Sequence, residues 1–222
     1  MMIKAIFFDA FDTLFAVEKG ASEQMVLSLM REQNVVPDPA AFHHEWKMFY
    51  RNASLSVPFC TEKEIFINRI NTIADTYHVS LPADDLAEKT LHAASMRLPF
   101  PDVLPALNTL GKQYRLFIAS NTDQQVLLDL LERYPLPLDG VFTSENLLCY
   151  KPSKEFYLKL LSATGLHPAE TLFVGDSYAE DVEGPINAGI NSVLLARDSA
   201  SSASVLCHIS SLAELPDYLR SL

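Results

Sequence analysis

The chain predicts a parallel α/β sheet with helices on both faces, interrupted after its first strand by an all-helical insert. Three observations predict it. Residues 3–8 form a short β-branched and aromatic run, Ile3, Ala5, Ile6, Phe7 and Phe8, that stops at Asp9. Between about residues 16 and 98 every apolar pattern has helical spacing. From Pro99 onward, short apolar runs alternate with helical ones, and strands separated by helices pair in parallel through right-handed crossovers.

In order, the insert reads as four amphipathic helices. Met25, Val26, Leu29 and Met30 mark the first, and Phe42, Trp46, Phe49 and Tyr50 the second. Phe66, Ile70, Ile73 and Tyr77 mark the third, and Ala87, Leu91, Ala94 and Leu98 the fourth. Thr61 with Glu64 is a capping-box pair for the third helix, and Pro37, Pro39, Pro58 and Pro82 punctuate the joins. A helix through Val103, Leu107 and Leu110 then ends near Gly111, followed by a strand over residues 114–119. A helix boxed by Thr122 and Gln125 runs to Leu131, and a short strand covers residues 140–143. After Lys151-Pro152 a helix through Phe156, Leu160 and Leu161 stops at Gly165. Residues 171–174 read as a strand, 179–188 as a helix stopped by Gly189, and 192–195 as a strand. A strand over 205–209 and a last helix to Leu222 close the chain, after a Ser-rich loop at 199–204.

Composition restricts the function. Apolar residues at 49% and charged ones at 20% describe an ordered globular protein with room for a core. Seventeen basic against 28 acidic residues leave a net charge of −11, which repels nucleic acid and anionic membrane surfaces, and no basic run offsets it. Cys60, Cys149 and Cys207 are odd in number and in no CxxC pattern, so neither a disulfide framework nor a cysteine metal site is expected, and a cytoplasmic setting fits. The start, Met1-Met2-Ile3-Lys4, has no secretory pattern, and no apolar run reaches the roughly 20 residues of a membrane span.

Four predicted strands end in polar residues: Asp9, Ser120-Asn121, Lys151 and Gly175-Asp176-Ser177. Taken singly, each reads as a turn residue or helix cap. In a parallel sheet, however, all carboxyl ends share one edge, where such sheets bind ligands. Asp9, Asp176, Asp12 and Asp181 would then crowd around a single Lys151. Like charges so close resist ionisation, and a divalent cation removes the conflict. Oxygen donors without Cys or His favour Mg²⁺. The histidines lack metal-site spacing, and the Gly-rich lysine loop, GxGxxG and GxSxG motifs are all missing.

The set Asp9-Ala-Phe-Asp-Thr13-Leu, Ser120-Asn121, Lys151-Pro152 and Gly175-Asp176-Ser-Tyr-Ala-Glu-Asp181 resembles the haloacid dehalogenase-like hydrolases, in the branch with a helical cap after the first strand. The resemblance implies a Rossmann-like core of residues 1–15 and 99–222 and a cap of residues 16–98. It further implies that Asp9 is the nucleophile of a covalent intermediate and that Ser120, with Asn121 and Thr13, binds the transferring group. Lys151 would offset charge, while Asp9, Asp176, Asp181 and the carbonyl of Phe11 would hold Mg²⁺. The implied substrate is a small phosphorylated metabolite.

One departure matters. Phosphatases of the family carry a second aspartate, their general acid and base, where this chain has Phe11, and Asp12 occupies a usual glycine position. Asp12 is one candidate to replace the acid. The family's 2-haloacid dehalogenases have an aromatic residue at that place, because halide leaves without a proton, and Tyr157 also resembles their pattern. Those enzymes need no metal and lack the Gly-Asp pair kept here as Gly175-Asp176. Their substrate-gripping arginine has only Lys47 or Arg51 as a counterpart. A third reading is a weakly catalytic member that works by binding a ligand or a protein. Trp46, Phe49, Tyr50 and Phe100 are candidates to line the substrate pocket, although aromatic stripes at helical spacing also describe core.

Overall fold

β1 (Ala5–Phe8) sits near the middle of a sheet whose strand order is β3-β2-β1-β4-β5-β6, with every neighbouring pair parallel. The other strands are β2 (Arg115–Ser120), β3 (Gly140–Thr143), β4 (Thr171–Gly175), β5 (Asn191–Leu195) and β6 (His208–Ile209). This computed structural model describes residues 2–18, 20–53, 58–197 and 208–221, without the side chains of 50–53. The Ser-rich stretch, Cys207 and the first half of the expected 205–209 strand lie outside the described residues.

Alternation along β1 builds two cores, because successive strand side chains point to opposite faces. Ile6 and Phe8 pack on one face with Val103 and Leu107 of α5 (Val103–Leu110), Leu127 and Leu130 of α6 (Gln124–Arg133), and Leu215 and Leu219 of α10 (Leu215–Ser221). Ala5 and Phe7 pack on the other with Leu147 of α7 (Ser144–Leu147) and Phe156, Tyr157 and Leu160 of α8 (Lys154–Thr164). Phe7 stacks on Phe117 with ring centroids 5.1 Å apart, and truncating so large a buried ring costs about 3–5 kcal/mol. The turn after β4 leads into α9 (Gly184–Asn187).

Between β1 and α5 the chain forms α1 (Ala21–Glu32), α2 (Pro39–Ala53), α3 (Glu62–Tyr77) and α4 (Ala83–Ser95). These helices share a separate core of Val26, Met30, Phe42, Trp46, Ile70, Ile73 and Leu86. The outgoing and returning segments run side by side. Ala16 N–H donates to the Leu98 carbonyl at 2.9 Å, and Phe100 N–H to the Leu14 carbonyl at 2.9 Å.

Local signals hold where the bonds they require stay local. Thr61 and Glu64 form the expected capping box, and Gly165 ends α8 at φ 67°. Four expectations need correction. No strand runs into Lys151: β3 ends at Thr143, whose side chain caps α7, and Lys151 lies in the loop between α7 and α8. Leu98 lies beyond α4 and is 63% exposed. The Thr122–Gln125 box does not form, because Thr122 and the capping residue Asp123 spend their side chains on α3 instead. The 179–188 helix begins as a wide π-type turn, Tyr178–Glu183, before the short α9.

Candidate active site

The ends of β1, β2 and β4 and the loop between α7 and α8 bring the expected residues together. Asp9 follows β1, extending its ladder through an N–H bond to the Val174 carbonyl at 2.9 Å, and its side chain is almost wholly buried. Oδ1 of Asp9 accepts from the Ser120 hydroxyl at 2.9 Å and from Lys151 Nζ at 2.8 Å. Among the described residues its second oxygen accepts no hydrogen bond. Lys151 is fully buried and donates to Asp181 Oδ1 at 2.6 Å. Asn121 fixes the lysine through its backbone: Lys151 N–H donates to Asn121 Oδ1 at 2.8 Å, and Asn121 Nδ2 donates to the Lys151 carbonyl at 3.1 Å.

The turn after β4 completes the cluster. A Cβ on Gly175 would overlap the carboxyl group of Asp181, so only glycine lets that side chain fold beneath the strand end. Asp181 Oδ2 accepts from Ser177 N–H at 2.9 Å, and Tyr157 O–H donates to the Glu180 carbonyl. A Cβ on Gly184 would in turn overlap the Tyr157 hydroxyl. These long-range demands widen the turn, and such π-type turns recur at functional sites. Thr13 is buried, with its hydroxyl 3.4 Å from Asp176 Oδ1 and its carbonyl held by Arg197.

Charge is unbalanced here. Burial raises the Asp176 carboxyl to about 7, helped by Asp9, Asp181 and Asp12 and opposed by Lys151. Burial likewise raises Glu180 to about 7 and Asp181 to about 6, in both cases against the pull of Lys151. Burial also disfavours the Lys151 ammonium, but Asp181, Asp9 and Glu180 outweigh it and hold its pKa well above the ordinary value. One ammonium therefore stays charged while several carboxyls compete for it.

A cavity of about 320 Å³ opens over this cluster. Asp9, Ser120, Asn121, Asp176, Glu180 and Asp181 line its floor, and Phe11, Glu62, Phe66, Leu91, Ala94 and Arg97 are among its remaining lining. The Arg97 guanidinium lies 4.8 Å from the centre of the Phe11 ring. Its pKa is lowered by burial and supported by Glu62 and Asp12. Several sequence candidates fall elsewhere. Asp12 adopts φ 57°, the left-handed conformation of a glycine position, and its Oδ1 accepts from Val17 N–H at 3.1 Å instead of lining the cavity. Lys47 and Trp46 line a different cavity inside the helical insert, Phe100 packs under Arg197, and the side chains of Tyr50 and Arg51 are outside the described residues. Phe49 lies beside Arg69, so α3 and α4 supply the apolar lining Phe66, Leu91 and Ala94, beside Phe11 and Val17, in place of the aromatic stripe of α2. Glu180 and Arg97 carry no signal as lining residues and Glu62 only a faint one, since each reads as an ordinary helix charge.

A cation fits the cluster. Asp9, Asp176 and Asp181 each offer a carboxylate oxygen, and these atoms lie within 4.8 Å of one another. Burial and the neighbouring carboxylates raise Asp176 against Lys151, so a cation here would relieve the crowding of like charge.

Comparison with known proteins agrees with this layout. A sequence model of the family described as haloacid dehalogenase-like hydrolase matches residues 3–189. The chain belongs to the haloacid dehalogenase-like hydrolases. It is 26% identical over 212 residues to a glyceraldehyde 3-phosphate phosphatase of Methanothermobacter thermautotrophicus, a match covering 87% of this chain and 86% of the relative. With N-acylneuraminate-9-phosphatase of Rattus norvegicus it shares 27% identity over 128 residues. That match covers 54% of this hydrolase and 52% of the relative, about half of that protein's length. In fold, this hydrolase is similar to a defluorinating L-2-haloacid dehalogenase, with a TM-score of 0.76, 21% identity, and coverage of 98% of this chain and 95% of the other. No helix among the described residues is long and apolar enough to cross a membrane.

Proposed function

We propose that this hydrolase is a Mg²⁺-dependent phosphatase of small phosphorylated metabolites, working through an aspartyl-phosphate on Asp9. Residues 1–15 and 99–222 are the catalytic core in this reading, and 16–98 the cap that closes over it. The observation that carries it is the triad of carboxylates, Asp9, Asp176 and Asp181, with ligand atoms within 4.8 Å of one another. The free oxygen of Asp9 attacks phosphorus while Lys151 and Ser120 hold Oδ1. Asn121 positions Lys151 through its backbone, and Thr13 steadies Asp176. Asp9, Asp176, Asp181 and the Phe11 carbonyl would hold Mg²⁺, which supplies the positive charge that phosphoryl transfer needs on its oxygens. The phosphatases among its relatives support this reading.

A 2-haloacid dehalogenase is the second reading, favoured by Phe11 facing the cavity and by Tyr157 beside the cluster. Assays of 4-nitrophenyl phosphate, acetyl phosphate and 2-chloropropionate, each with Mg²⁺ and with EDTA, separate the readings. Turnover of the phosphates only with Mg²⁺, lost on the order of 10³-fold or more in Asp9→Asn, is the expected result. Turnover of the chloro acid alone, indifferent to EDTA, makes the protein a dehalogenase. No turnover at all assigns it a binding role.

A further inference from the structure

The cavity contains a carboxyl that the proposed mechanism has not used. Five carboxyl side chains line it. Asp9, Asp176 and Asp181 form the cation cluster, and Glu180 accepts from Asn121 Nδ2 at 3.1 Å. Glu62 alone comes from outside the core segments, in the first turn of α3. Its position is built. The Asp123 carboxylate accepts from Glu62 N–H at 2.7 Å and Lys63 N–H at 2.9 Å, clamping the start of α3 to the loop directly after Ser120 and Asn121. The Thr122 hydroxyl donates to Glu62 Oε2 at 3.2 Å. Tyr150 O–H donates to the Cys60 carbonyl at 2.9 Å, tying the approach to α3 also to the residue before Lys151.

We propose that Glu62 is the general acid and base of the phosphatase reaction, delivered from the cap to do the work of the carboxyl missing at Phe11. The proposal rests on the phosphatase reading above. In the first step an Asp9 oxygen bonds to phosphorus, the bond from phosphorus to the leaving oxygen breaks, and that oxygen takes the Glu62 proton to give the alcohol. In the second, water attacks phosphorus and yields its proton to the Glu62 carboxylate. The phosphorus–Asp9 bond breaks, and phosphate and the starting enzyme result.

The surroundings suit both roles. Burial raises the Glu62 carboxyl to about 7, Asp123 pushes it further, and Thr122, Arg97 and Arg69 oppose them. Tyr150 also faces it, and its own pKa is raised by burial and by Glu62. An acid poised near neutrality is the efficient kind.

The test compares a poor leaving group, glycerol 2-phosphate, with a good one, 4-nitrophenyl phosphate, on the full chain with Mg²⁺. Glu62→Gln keeps an acceptor for Thr122 but has no proton to give. It is expected to lower kcat on the alkyl ester by about 10²- to 10⁴-fold, with far less change in KM, and on the aryl ester by no more than about tenfold. In wild type the alkyl-to-aryl ratio of kcat/KM should fall as pH rises through about 7, and in the variant it should be flat. Thr122→Val removes a hydrogen bond that favours the carboxylate, so it should move that fall to higher pH. Equal losses on both esters in Glu62→Gln, an unaltered ratio profile, or a wild type that cleaves only the aryl ester overturns the role of Glu62 while leaving the phosphatase reading standing. A wild type that cleaves neither ester overturns both.

Discussion

Removing or supplying the cation should change stability in a pH-dependent way, and the direction follows from the acids around Lys151. Asp176 and Glu180 are raised to about 7 and Asp181 to about 6, so the folded chain holds protons that the unfolded chain releases near pH 4. Carboxyls shifted this way contribute stability that is fully present below the unfolded pKa. It is lost as pH climbs through the folded one. For Asp176, a rise from 3.8 to about 7 is formally on the order of 4 kcal/mol. Its carboxyl is partly open to the cavity, and halving the figure for solvent screening leaves about 2 kcal/mol. In EDTA the protein should therefore be about 2 kcal/mol less stable at pH 7.5 than at pH 4.5 from this group alone. Mg²⁺ bound as proposed would compete with those protons, so it should stabilise strongly at pH 7.5 and weakly at pH 4.5. At a hundredfold excess over Kd the gain is about 2.7 kcal/mol, which for a chain of 222 residues is a rise in Tm of about 5–10 °C. Thermal unfolding at the two pH values, with EDTA and with Mg²⁺, reads this directly. Asp176→Asn should be more stable than wild type in EDTA at pH 7.5 and should lose the Mg²⁺ response. An equal Mg²⁺ shift at both pH values, or one that survives in Asp176→Asn, refutes the argument.

Two further substitutions probe how the site is held. Gly175→Ala forces a methyl group into the carboxyl of Asp181, which Lys151 and Ser177 already fix; the unfolding free energy from denaturant titration should fall by about 1–3 kcal/mol and the Mg²⁺ shift should vanish as Asp181 is displaced. Asp12→Gly relieves a left-handed residue, worth about 1–2 kcal/mol, but gives up the bond to Val17 N–H, about 1 kcal/mol, and adds freedom to the unfolded chain. Stability should stay within about 1 kcal/mol of wild type, whereas a drop of 100-fold or more in alkyl phosphate turnover would restore Asp12 as the acid.

How much of this site is legible in the sequence depends on where each residue's partners come from. Asp9, Ser120 and Asp176 follow from one rule, that a parallel sheet gathers its carboxyl ends on one edge, and the rule needs only the strands; Lys151 arrives there from the loop after α7, where its backbone is tied to Asn121. Asp181 is legible by its distance from Asp176, but the wide turn that seats it is not. That turn answers to the Asp181 carboxyl beneath Gly175 and to Tyr157 from another helix, neither of which local periodicity encodes. The residues of the helical insert and of the loop it meets are harder still, because each has a local role that explains it away. Arg97 reads as a base at the end of a helix, and Glu62 as an acid in the first turn of one, both favourable positions in the helix dipole. Asp123 reads as the cap of its own helix and instead binds the first turn of α3, about 60 residues earlier in the chain. A faint signal does exist at Glu62. The capping box at Thr61 uses only Glu64, yet the same first turn carries a second acid that the box leaves idle. That idle acid takes its partner from another element, the Thr122 hydroxyl after β2, which periodicity along α3 does not encode.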